Sequence, residues 1–83
     1  MRIAICDDDM LIIEQLKCYI KTFFESKNIK CPEIISFLSG EALLADKEDK
    51  DILFLDIEMP GINGIYVGKE LKKANDRIIV SVK

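Results

Sequence analysis

Alternation most constrains what this chain can fold into: short apolar runs take turns with stretches of helical periodicity along all 83 residues. Residues Arg2-Ile3-Ala4-Ile5-Cys6 form a β-favouring run that stops abruptly at Asp7-Asp8-Asp9. A strand buried on both faces reads as a near-continuous apolar segment of this kind. From Met10 to about Lys27, Ile13, Leu16, Ile20, Phe23 and Phe24 recur at helical spacing, with Glu14, Gln15, Lys17, Lys21 and Glu25 on the other face. That pattern predicts an amphipathic helix, and Asp8 or Asp9 is placed to cap it. Residues 28–32 are a connection. Glu33–Phe37 is a second, less apolar strand, expected nearer the sheet edge.

Ser39 is the expected N-cap of a short helix running through about Ala45, and 46–51 reads as a solvated turn. Ile52-Leu53-Phe54-Leu55 is the most apolar run of the chain and ends at Asp56. Residues 57–64 form a loop with a Pro60-Gly61 turn signal. Residues 65–74 read as a helix with Ile65, Val67 or Gly68, and Leu71 inward, and Arg77–Val82 as a last strand. The order βαβαβαβ means an α/β fold: an open parallel sheet with right-handed crossovers and helices on both faces. The length leaves room for one domain, residues 1–83, and no internal repeat is present.

Composition narrows the chemistry. The net charge is −3, and no Lys/Arg run exists to follow a phosphate backbone, so direct nucleic-acid binding is not expected. The absence of His removes a His-based triad, a His-ligated zinc and a phosphohistidine intermediate within the chain. Cys6, Cys18 and Cys31 form no CxxC and read as reduced, mostly core-filling thiols. The N-terminus turns acidic too soon for a signal peptide, and no apolar run approaches the roughly 20 residues that span a bilayer. A cytoplasmic location is the expectation.

Ligands of open parallel sheets bind beyond the carboxyl ends of the strands, where strand order reverses. The first strand ends at Asp7-Asp8-Asp9 and the third at Asp56, so neighbouring strands would bring three or four carboxylates together. Like charges at that distance repel unless a cation sits among them, and a sparse oxygen-only set suits Mg²⁺. Asp9 also reads simply as a helix cap. Asp56 precedes a turn rather than a helix and has no capping duty; a carboxylate so placed can serve as a nucleophile toward phosphorus.

Three segments, Ile5-Cys6-Asp7-Asp8-Asp9, Ser36-Phe37-Leu38-Ser39-Gly40-Glu41 and the run from Leu53 through Asp56-Ile57-Glu58-Met59-Pro60-Gly61 to Gly64, resemble the receiver domain of two-component response regulators. The texture is similar to receivers joined to LytTR-type DNA-binding domains. The resemblance implies a flavodoxin-like fold and Asp56 as the phosphoacceptor for a phosphoryl group from a sensor histidine kinase. It also implies Asp8 and Asp56 as direct Mg²⁺ ligands, Asp7 reaching the ion through water, and Glu58 contributing its backbone carbonyl. Glu58's side chain is alternatively a tuner of acyl-phosphate lifetime or a solvated surface group. Pro60 and Gly64 match loop positions.

The resemblance also exposes departures. A whole receiver carries five strands and five helices, whereas this sequence reaches the fourth strand, short of the family's phosphate-pairing Lys, for which Lys83 is no substitute. One register puts Ser81 at the family's switch hydroxyl; another puts Val82 there. The open edge of the fourth strand leads to the expectation of homodimer formation or element exchange. Output through a transcriptional domain belongs to a longer parent protein. Two other readings stand beside the phosphoacceptor: a receiver-like interaction module that is not phosphorylated, and a Mg²⁺-dependent phosphohydrolase. The second would want Asp-x-Asp-x-Thr/Val, where this chain has Asp56-Ile57-Glu58-Met59-Pro60.

Overall fold

The computed structural model describes residues 1–56, 64–75 and 79–82; within these, the side chains of 65, 74 and 80–82 lie outside the description. The elements run β1 (Arg2–Cys6), α1 (Met10–Ser26), β2 (Glu33–Phe37), α2 (Gly40–Ala45), β3 (Ile52–Leu55), α3 (Gly64–Ala74) and β4 (Ile79–Val82). All pairings are parallel and the strand order is β2-β1-β3-β4. The chain starts in the centre, steps outward to β2, then crosses back over β1 to β3. That reversal puts the carboxyl ends of β1 and β3 side by side.

Period-two alternation splits the strands between two cores. Ala4 pairs with Leu53 and Cys6 with Leu55, and all four are buried with Leu43 of α2 and Val67 of α3. Ile35, Phe37, Leu44 and Leu71 pack around that cluster. The opposite face carries Ile3 and Ile5, paired with Ile52 and Phe54, and belongs to α1. Here the cover is thinner. Ile13 is fully buried, but Phe23 is 55% exposed, contrary to its expected inward place, and Tyr19 is 74% exposed. An apolar groove of about 370 Å³ lies between α1 and the sheet, lined by Ile3, Leu16, Ile20, Phe24, Ile52 and Phe54 among others.

The caps follow the sequence. Asp9, rather than Asp8, is the N-cap of α1, and Ser39 caps α2 by accepting from the Ala42 N–H at 3.1 Å. Helix α1 closes with Asn28 at φ 56°, a left-handed conformation that Asn tolerates, while the Ile29 N–H donates to the Phe24 carbonyl.

Two expectations are corrected. Only Cys6 of the three free cysteines is core; Cys31 is half-buried and Cys18 lies exposed on the polar side of α1. The segment 46–51 is not simply solvated either, because Lys50 is buried. Its ammonium meets Asp46 Oδ2 at 3.1 Å and donates to the carbonyls of Asp46 and Glu48 at 3.3 and 2.9 Å. It also sits 5.6 Å from the centre of the Phe37 ring. A lysine is buried at tolerable cost when its donors are satisfied in this way. Nearby, Arg2 ties the amino-terminal ends of the strands together, with its guanidinium on Glu33 and Glu48 and its backbone N–H on Asp51 Oδ2.

Candidate functional site

The sheet ladder continues one residue past the strands and fixes the backbone from which the acidic side chains project. The Asp7 N–H donates to the Phe37 carbonyl at 3.1 Å, and the Asp56 N–H to the Cys6 carbonyl at 3.0 Å. Asp7 and Asp56 therefore stand on the paired ends of β1 and β3. One carboxylate oxygen from each of Asp7, Asp8 and Asp56 lies within 4.8 Å of the other two. Asp7 is buried at 2% exposure, Asp56 half-buried and Asp8 exposed, so the cluster opens to solvent along one side. Of the three or four carboxylates expected to converge, three do so among the described residues.

Asp9 turns the other way. Its Oδ1 accepts from the Leu11 N–H at 2.9 Å, while its own N–H donates to Asp7 Oδ1 at 2.9 Å. Asp7 is thus oriented by backbone as well as by burial. Sequence reasoning identified the cap but not this second bond; the signal was the run of three aspartates, which requires the last to face the helix it starts.

Cys6 lies directly beneath the cluster. Burial, followed by the carboxylates of Asp7, Asp56 and Asp8, pushes its thiol up to about 11. It stays protonated at neutral pH and donates to the Ser39 carbonyl at 3.4 Å. A protonated buried thiol is neither nucleophile nor soft metal ligand, so the donor set of the pocket is oxygen.

That donor set fits a hard divalent cation. Three carboxylates supply oxygens from one side and leave the solvent side for water, as Mg²⁺ requires. Glu58 and Lys83 lie outside the described residues. In the backbone register Ser81 is level with Phe54 and Val82 with Leu55, and both side chains fall outside the description.

Comparison with known proteins places this geometry. Residues 3–83 match the response regulator receiver domain. The sensory transduction protein LytT of Oceanobacillus iheyensis is 36% identical over 74 residues, covering 87% of this chain and 28% of that protein. The chain therefore spans little more than a quarter of that relative's length. Among solved structures, response regulator TrrA of Thermotoga maritima in complex with Mg(2+)-BeF superposes with a TM-score of 0.70 at 31% identity, over 98% of this chain and 64% of that one. TrrA in complex with histidine kinase ThkA gives a TM-score of 0.71 at 31% identity, over 98% of this chain and 66% of TrrA.

Proposed function

Because the chain belongs to the response regulator receiver domain family, we propose that it is a phosphoacceptor module whose Asp56 takes a phosphoryl group from a sensor histidine kinase. The observation that carries this reading is the convergence of Asp7, Asp8 and Asp56 at the carboxyl ends of adjacent strands. An Asp56 carboxylate oxygen attacks phosphorus, an O–P bond forms, and the N–P bond of the phosphohistidine breaks. The electron pair stays on the leaving imidazole nitrogen, which takes a proton from water. The product is an acyl phosphate on Asp56.

Asp8 and Asp56 would hold Mg²⁺ directly, Asp7 would reach it through water, and Glu58 would contribute its backbone carbonyl. When bound, the ion neutralises charge on the phosphoryl oxygens and orients them for in-line transfer. The chain's own part is positioning. The ladder bonds to Phe37 and Cys6 fix Asp7 and Asp56, and burial confines the Asp7 side chain at the floor of the pocket. Ser81, one residue before the end of β4, would be the switch hydroxyl.

The module is a signalling switch rather than an enzyme acting on free substrates, and residues 1–83 form one partial receiver domain. Its partner is a sensor kinase, as a relative's complex with one supports. Cytoplasmic placement accords with that partner; no helix among the described residues is long and apolar enough to cross a membrane. A net charge of −3 argues against direct nucleic-acid contact by this segment, and control of transcription would fall to another domain of a longer parent. Among the described residues β4 lies at the sheet edge with Ile79 62% exposed, which supports pairing with a second copy or exchange of an element there.

Phosphoramidate carries the same P–N bond as phosphohistidine and tests the reading. With Mg²⁺ it should place one hydroxylamine-labile phosphoryl group on the wild type and none on Asp56→Asn. A folded, Mg²⁺-binding chain that accepts no phosphoryl group would overturn it.

A further inference from the structure

Three consecutive aspartates follow β1, yet Asp9 does not join the oxygen cluster that Asp7 and Asp8 form with Asp56. It is spent on geometry instead. Its side chain accepts from the Leu11 N–H, its carbonyl accepts from the Ile13 N–H at 3.2 Å, and its N–H donates to Asp7 Oδ1. The N–H that orients the buried carboxylate therefore belongs to the residue whose side chain starts α1. Its backbone, at φ −104° and ψ 110°, is held in the extended conformation that an N-cap adopts.

We propose that Asp9 is the positioning residue of the cation pocket: its cap on α1 fixes the backbone N–H that aims Asp7, and its charge is dispensable. This deepens the phosphoacceptor reading and rests on it. A purely electrostatic Asp9, a fourth negative charge drawing in the ion, would predict that the Asn, Ser and Ala variants are weakened alike. Asn and Ser cap about as well as Asp and carry no charge, whereas Ala is equally uncharged but cannot cap. A capping bond is also insensitive to salt, while attraction between an exposed charge and an ion is screened.

The test is calorimetric titration with Mg²⁺ of the wild type, Asp9→Asn, Asp9→Ser, Asp9→Ala and the ligand control Asp8→Asn, at low and high salt. Circular dichroism checks each fold. Amide hydrogen exchange at the Asp9 N–H is followed in the metal-free proteins. Asp9→Asn and Asp9→Ser should bind within about twofold of the wild type and keep that amide protected. Asp9→Ala should bind about fivefold more weakly at both salt concentrations, the affinity equivalent of a typical cap, and lose the protection. Asn and Ser variants as weak as Ala, or an Ala variant equal to the wild type, would overturn the proposal. Should Asp9→Ala not fold, the Asn and Ser variants decide by themselves: wild-type affinity upholds it and a fivefold loss overturns it. A wild type that binds no Mg²⁺ removes the cation reading of the pocket. The exchange measurement then still decides whether the cap orients Asp7, with loss of protection in Asp9→Asn counting against it.

Discussion

The site and the stability of the fold pull in opposite directions, and Asp56→Asn should expose the conflict. Oxygens of Asp7, Asp8 and Asp56 lie within 4.8 Å of one another. Two unit charges at that separation repel by roughly 3–4 kcal/mol at an effective dielectric near 20. Asp8 is exposed and Asp56 half-buried, so water and salt screen much of this. Neutralising Asp56 without changing its shape should therefore stabilise the cation-free protein by about 1–2 kcal/mol. The ion reverses the ranking. At a Mg²⁺ concentration one hundred times its Kd the wild type gains about 2.7 kcal/mol, and a variant that no longer binds gains nothing. Urea unfolding followed by circular dichroism, once with chelator and once with Mg²⁺, measures both effects. The variant should have the higher midpoint with chelator and the lower one with Mg²⁺. A variant destabilised in chelator, or one that keeps the full Mg²⁺ gain, would refute the reasoning from charge crowding.

Other consequences follow from features away from the acidic oxygens. Hydrogen bonding to the Lys50 ammonium holds the Asp46 carboxyl below its ordinary 3.8. The stability this contributes is present above that value and is lost as pH falls through the lower folded value. The urea midpoint should accordingly drop below pH 3.8, less so in Asp46→Asn, and equal acid sensitivity in the two would refute the link. Cys18 is exposed while the Cys6 thiol is buried and pushed up to about 11. A thiol reagent at neutral pH should label Cys18 first and leave Cys6 untouched until the chain is unfolded, as peptide mass mapping would read out. Leu53→Ala empties a fully buried place against Ala4 and Leu43 and should cost about 2–5 kcal/mol in chemical unfolding, against under 1 kcal/mol for Leu11→Ala on the exposed face of α1.

Much of this was legible because the strong signals are local. The runs at 2–6 and 52–55 are too apolar to be anything but buried, and their termination in aspartates marks where the ladder meets solvent. Strand order then did the rest: once β1 and β3 are neighbours, Asp7, Asp8 and Asp56 must meet. The failures are tertiary. Lys50 sits in a run of six charged residues, Asp46 to Asp51, and hydropathy alone assigns it to water. Its burial depends on two carbonyls and a carboxylate that only the folded turn assembles. Phe23 has the spacing of an inward residue but lies at the last turns of α1, where the sheet beneath it ends in an open groove. Cys18 looks apolar by composition, yet its position on the helix is set by Ile13 and Leu16, which face the sheet and turn it outward.

The central claim is that Asp56 is a working phosphoacceptor, and trapping the acyl phosphate tests it most directly. The folded chain is incubated with acetyl phosphate and Mg²⁺, reduced with borohydride, and mapped by peptide mass spectrometry. An acyl phosphate on Asp56 should appear as homoserine at position 56 in the wild type, be absent with chelator, and be absent in Asp56→Asn. Homoserine at Asp7 or Asp8 instead, or none at all on a chain shown to be folded and to bind Mg²⁺, would contradict the account.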